Sequence, residues 1–171
     1  MHEFLPQNSF LGKLGEWFCS DGSIFQMLCT NSLFAVCGFN PAQMNATLLP
    51  VIMGHTPAGS STRQFLHFAQ EVNSGKFRKY DYGAFKNMRE YGSLSPPKYK
   101  LSKVTAPVYL HYSRNDWLSN EKDVNNLYNE LGNVRGKFLS PDNKFNHVDY
   151  LYGIDAKALL YDRVLGLMKR H

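Results

Sequence analysis

From Val104 onward the apolar residues settle into a regular alternation of short runs and helical stripes, and this constrains the fold more than any other feature of the chain. Val104 to Tyr112 reads as a buried strand, with Pro107 near its start, where a missing backbone N–H is tolerated. Ser119 or Asn120 is placed to cap a helix carrying Val124, Leu127, Tyr128 and Leu131 on one side. Lys137-Phe138-Leu139 is a short strand, and Asp155 is placed to cap a last helix with the stripe Leu160, Val164, Leu167 and Met168. Strand, helix, strand, loop and helix in this order close a doubly wound α/β sheet.

The first hundred residues have a different texture. Asp21 is placed to open a helix that runs to about Cys37 and stops at Gly38, with Ile24, Phe25, Leu28 and Cys29 at helical spacing. Ser60 or Ser61 caps a second helix with the stripe Phe65, Phe68 and Val72, stopped by Gly75. Residues 76–100, with Gly83, Gly92 and Pro96-Pro97, read as a loop or a domain boundary. The expected organisation is a mainly helical, inserted region over 1–100 and an α/β segment over 101–171.

Composition excludes several classes. With 43% hydrophobic, 14% aromatic and 19% charged residues, the chain is too apolar and too weakly charged to be disordered. The longest apolar run, Leu48 to Met53, is broken by Pro50, so no membrane span is expected. The net charge of +5 is scattered, and the densest basic stretch, Lys76-Phe77-Arg78-Lys79-Tyr80-Asp81-Tyr82, reads as a solvated loop with partly buried rings rather than a nucleic-acid surface. Cys19, Cys29 and Cys37 lack metal-ligand spacing. They admit a Cys19–Cys29 bridge with Cys37 left over, or three reduced thiols. Asn45-Ala46-Thr47 is an N-glycosylation sequon, and with a bridge it points to an oxidising, secretory compartment.

Two residues carry chemistry. Asp116 stands just past the strand ending at Tyr112, and His147 stands in Phe145-Asn146-His147-Val148-Asp149, before the last helix. An acid after a strand and a histidine before a terminal helix form the second half of a Ser…Asp…His order, the α/β-hydrolase order. The imidazole would take a proton from a serine hydroxyl and return it to the leaving alcohol, while the carboxylate fixes its tautomer. No G-x-S-x-G turn occurs in the 171 residues, so the nucleophilic serine is expected upstream of residue 1. Gly54-His55-Thr56-Pro57-Ala58 imitates such a turn, but the second glycine is replaced by Ala58; the segment is expected to begin the Phe65 helix. Asp149, two residues from the base, is expected to bond the loop backbone. His55, His67 and His111 lack partner spacing, and Trp117 and Leu118 are expected to pack around the acid loop.

The chain resembles the C-terminal portion of the acid lipases, the gastric and lysosomal lipases and their insect relatives, from about Cys19 to Met168. The resemblance rests on Cys19…Leu28-Cys29…Asn31…Leu33-Phe34…Cys37-Gly38-Phe39, on His55-x-Pro57-Ala58-Gly59-Ser60-Ser61, and on Ser74-Gly75-Lys76-Phe77…Tyr80-Asp81-x-Gly83. It continues through Pro96-Pro97-x-Tyr99, Asn115-Asp116-x-Leu118…Asp123-Val124 and Phe145-Asn146-His147-x-Asp149…Asp155-Ala156. The resemblance implies an α/β-hydrolase core with an inserted helical cap (lid) over about 1–100. It implies Asp116 and His147 as triad acid and base, and a Cys19–Cys29 disulfide. It implies lipid ester substrates, triacylglycerol or cholesteryl ester, no metal or organic cofactor, and a secreted or lysosomal protein whose signal peptide lies upstream. The missing N-terminal half of the core is then a structural partner. A second reading is a non-catalytic lipid-binding or interaction module.

Overall fold

The computed structural model describes residues 3–4, 9–20, 22–56 and 58–170. The fold is helix-rich with a small parallel sheet. Strand β1 (Glu3–Phe4) precedes helices α1 (Ser9–Phe18), α2 (Gln26–Cys37) and α3 (Leu49–His55). Strand β2 (Ser60–Ser61) pairs antiparallel with β1 and runs directly into α4 (Thr62–Ser74).

Local chemistry accounts for these boundaries. Ser61 Oγ accepts from the Arg63 N–H and Gln64 Oε1 accepts from the Ser61 N–H, both at 3.3 Å, a capping box that fixes the start of α4. Gly75, at φ +61°, ends it in the left-handed region open to glycine. Its stripe forms, but Phe65, Phe68 and Val72 stay largely exposed. Helix α2 begins at Gln26, later than expected, and the chain before it is held by bonds from Ser23 N–H to Ser20 O and from Gln26 N–H to Ser23 O, each 3.0 Å. Asp21, the expected cap, lies outside the described residues. Ile24 precedes the helix and is exposed, and the residues α2 buries are Phe34 and Cys37, not the expected stripe.

Two further expectations are corrected. Gly54 and His55 end α3 rather than begin α4. Pro50 occupies the first turn of α3, where its missing N–H leaves no bond unmade. Gly15 lets α1 approach α3 closely: a Cβ there would lie 3.3 Å from the Met53 carbonyl oxygen. Residues 76–100 are not simply loop, since they contain α5 (Ala84–Tyr91). Its buried Asn87 carboxamide accepts from the Tyr82 N–H at 2.9 Å and donates to Asp81 Oδ1 at 2.7 Å and Leu94 O at 3.1 Å. Polar burial, not an apolar stripe, secures this helix, so hydrophobic periodicity misses it.

The second part contains β3 (Val108–Tyr112), α6 (Glu121–Glu130) and β4 (Val134–Leu139). The strands pair in parallel from Val108↔Val134 to Tyr112↔Leu139, with Arg135 as the extra residue of an irregularity after Val108. Val104 and Pro107 therefore lie before the strand. Asn120 Oδ1 accepts from the Asp123 N–H at 3.0 Å, and Glu121 and Asp123 place negative charge in the first turn of α6, where the helix dipole favours it. Helix α7 (Asp149–Tyr152) follows, then a π-turn (Lys157–Tyr161) leading into α8 (Asp162–Met168). Asp155 does not cap this helix with its side chain. Its carboxylate instead accepts from Gln43 Nε2 at 3.0 Å, while Gln43 Oε1 accepts from the Asp155 N–H at 2.8 Å. Among the described residues no helix is long and apolar enough to cross a membrane.

Candidate active site

Asp116 sits in the turn between β3 and α6. Its Oδ1 accepts from the N–H groups of Leu118 and Ser119, both at 2.9 Å, which holds the side chain against its own loop. His147 lies just before α7. The structure brings the two together: His147 Nδ1 is 3.0 Å from Asp116 Oδ2 and 3.2 Å from Oδ1. The carboxylate is 5% exposed and the imidazole 46% exposed, so a nearly buried acid backs a base that faces outward.

The hydrogen bond to Asp116 raises the His147 pKa above its ordinary value, against the opposing effect of partial burial. An Nδ1 proton held by Asp116 leaves the lone pair on Nε2, which makes no hydrogen bond among the described residues. Such a pair can accept a proton from a hydroxyl brought to Nε2 and stabilise the resulting imidazolium.

Residues that sequence reasoning had not assigned to the site hold this geometry. The His147 N–H donates to the Cys37 carbonyl at 3.2 Å. Asn146, fully buried, donates from Nδ2 to the Gly38 carbonyl at 2.8 Å, and its Oδ1 accepts from the N–H groups of Val148 and Asp149. Asp149, also buried, accepts from the Asn146 N–H and from Asn40 Nδ2, each at 2.8 Å. Burial raises its pKa. Asn40 Nδ2 also reaches Asp142 Oδ2 at 3.1 Å. On the acid side, Asn115 Nδ2 donates to Phe39 O at 2.9 Å and Lys144 O at 2.7 Å. Tyr150 Oη donates to the buried Ser113 Oγ at 3.2 Å. The strap Cys37–Asn40 thus lies between the two loops and is bonded to both. Gly38 is required there: its φ is +105°, and a Cβ would lie 2.0 Å from the Asn115 carbonyl oxygen. Gly38 had been read only as a helix stop, and nothing in a sequence reveals a partner 108 residues away.

The remaining candidates separate cleanly. Cys19 and Cys29 form a disulfide, and Cys37 is a buried free thiol whose pKa is raised by burial and by the Asp116 and Asp149 charges. Asn45 is half-buried and caps a short 3-10 turn, accepting from the Leu48 N–H at 3.3 Å. His55 is exposed at the end of α3. His67 Nε2 meets the Arg78 carbonyl at 2.8 Å, and His111 stacks on Phe138 in the sheet, so each has a partner other than the pair. Trp117 and Leu118 flank the acid but are exposed, Trp117 with its ring 6.4 Å from Phe39. Among the described residues no three His, Cys, Asp or Glu side chains are grouped to hold a metal.

No family model matches the chain. Individual relatives do. The chain is 43% identical to Lipase 3 of Drosophila melanogaster over 169 residues, 99% of this chain and 43% of that protein. It is 37% identical to the gastric triacylglycerol lipase of Rattus norvegicus over 166 residues, 96% of this chain and 41% of that one. It is 35% identical to the human lysosomal acid lipase/cholesteryl ester hydrolase over 170 residues, 99% of this chain and 42% of that one. The chain therefore spans about two fifths of the length of the relatives it matches. Such relatives imply an α/β-hydrolase fold, and over nearly its whole length the chain is homologous to the acid lipase family.

Proposed function

We propose that this chain supplies the acid and the base of a Ser-Asp-His triad in a hydrolase of lipid esters, triacylglycerol or cholesteryl ester. The observation that carries the reading is the Asp116–His147 pair, a buried carboxylate 3.0 Å from Nδ1 of an imidazole whose other nitrogen is unbonded. In this reading Asp116 orients and stabilises the ring, and His147 shuttles the proton between serine and leaving alcohol. The serine belongs to chain outside these 171 residues, since no G-x-S-x-G turn occurs within them. Residues 1–100 act as a cap over the substrate and 101–171 as a segment of the core.

The unfinished sheet supports the need for more core. The β3 residues are only half-buried, and an open cavity of about 360 Å³ lies between Pro107, Tyr109 and His111 and the α8 residues Val164, Leu167 and Met168. Further strands paired to the sheet edge would extend it beneath α8 and supply the nucleophile. The disulfide and the Asn45 sequon suit a secreted or lysosomal enzyme. A second reading, a lipid-binding module without catalysis, is favoured by the lack of a nucleophile turn in the chain itself.

The test is to join the chain in one reading frame behind the nucleophile-bearing portion of Drosophila Lipase 3. Long-chain ester hydrolysis should fall at least about a thousandfold in His147→Ala, as loss of a triad member does. A folded fusion that hydrolyses equally well without His147 would remove the triad assignment.

A further inference from the structure

Charged residues are scattered over the chain as a whole, but one segment holds a local basic excess. Residues 76–103 hold eight bases against two acids, a net +6, although the whole chain carries only +5. Helix α5 stands inside this segment, and its two faces are distinct. Asn87, 1% exposed, and Tyr91, whose hydroxyl donates to the Tyr80 carbonyl at 3.0 Å, turn inward. The outward face presents Phe85, 96% exposed, and Met88, with the exposed bases Lys86 and Arg89 between and beside them. One acid, Glu90, adjoins Arg89 at 3.5 Å. The other, Asp81, is committed to Asn87, the Gly83 N–H and Arg78.

Two of the bases rest on aromatic rings beside the helix. Lys86 Nζ lies 4.7 Å above the Tyr82 ring and Lys79 Nζ 5.5 Å above the Tyr91 ring. Beside the helix, 77–79 and 97–99 form an antiparallel strap through Lys79 N–H to Pro97 O at 3.0 Å, the Arg78–Lys98 bridge and the Phe77–Tyr99 ring contact. The strap adds basic residues and a half-exposed Phe77.

We propose that the outward face of α5, with the basic strap beside it, docks this protein on a phospholipid surface bearing anionic headgroups. Apolar side chains project from the helix into the acyl boundary while the neighbouring bases meet headgroup phosphates and carboxylates, the arrangement of an interfacial amphipathic helix. The site is separate from the Asp116–His147 pair. It extends the lipid-ester reading by naming the surface the protein meets, but vesicle binding is scored without ester hydrolysis, so either idea can fail alone.

The experiment measures binding of the protein to phosphatidylcholine vesicles with and without phosphatidylserine. Binding is expected only with phosphatidylserine and should weaken as salt is raised. The pair Lys86→Gln/Arg89→Gln should weaken it by roughly tenfold or more, and Phe85→Ser should weaken it severalfold. The pair Lys122→Gln/Lys169→Gln, which removes the same charge elsewhere, should leave it unchanged. Thermal melts identical to the parent's show that the substitutions leave the fold intact. Absence of binding, equal binding to both vesicle types, equal loss in the control pair, or preferential capture by an oligonucleotide competitor would each overturn the proposal.

Discussion

The Asn146 side chain donates to the Gly38 carbonyl at 2.8 Å, joining residues 108 positions apart immediately beside His147. The same carboxamide accepts from the Val148 and Asp149 N–H groups. Asn146→Ala therefore strands three backbone groups at once, two of them buried and the Val148 N–H half-buried. A single unsatisfied buried group costs about 1–3 kcal/mol, and an overall loss near 3 kcal/mol is expected in denaturant titration. The ring should also lose its alignment with Asp116, so the His147 pKa, followed by NMR, should fall toward its ordinary value. His111 is the internal control: its pKa is lowered by burial, and it should stay low if the variant is folded. A destabilised variant with an unmoved His147 pKa would show that Asn146 supports the fold but not the pair.

The two shifted histidines make opposite contributions to stability, and both depart from the ordinary imidazole value of 6.5. His147 has a raised folded pKa. Its contribution is complete below 6.5 and is lost as pH rises through the folded value. His111 has a lowered folded pKa. Its contribution is complete above 6.5 and is lost as pH falls through the folded value. Together they favour the fold most near pH 6.5. Melting profiles should show His147→Gln flattening the slope on the alkaline side and His111→Gln the slope on the acid side. Exchange of those two effects would contradict the assigned directions.

The Cys19–Cys29 bridge closes a loop of 10 residues' separation, and in the chain-entropy model that restricts the unfolded state by about 3 kcal/mol. Reductant, or the double change Cys19→Ser/Cys29→Ser, should lower the melting temperature by several degrees. Cys37, buried and free, should react with a thiol reagent only after unfolding. Rapid labelling of Cys37 in the folded protein would show that the strap beneath His147 opens.

Elements whose cause is local were legible in the sequence. Ser60 or Ser61, Gly75, Ser119 or Asn120 and the apolar run ending at Tyr112 each announced a boundary locally, and the structure selects Ser61 and Asn120 as the caps. The meeting of Asp116 with His147 was legible because a loop after a strand and a loop before a helix are local features too. Asp155 was misread because a cap signal is indifferent to a distant competitor: Gln43, 112 residues away, takes its carboxylate. Helix α5 was missed because buried Asn87, not an apolar stripe, secures it. The strap Cys37–Asn40 was invisible as a support for the site, since its value lies wholly in contacts with Asn115, Asn146 and Asp149. Gly38 was read as a helix terminator; its close approach to the Asn115 carbonyl exists only in three dimensions.

The 171-residue chain by itself should hydrolyse no ester through this site. Asp116 and His147 can only activate a nucleophile they contact, and the imidazole Nε2 has no hydroxyl bonded to it among the described residues. Enzymes deprived of a triad serine keep only what the oxyanion hole and binding provide. In the nearest imitation of a nucleophile turn, Gly54 and His55 close α3, and Thr56 belongs to no bonded pair with His147. Purified chain is therefore assayed on short- and long-chain esters beside His147→Ala. Equal, background-level rates are expected. Turnover in the parent that the substitution abolishes would place a working nucleophile within these 171 residues, and the serine would no longer need to come from elsewhere.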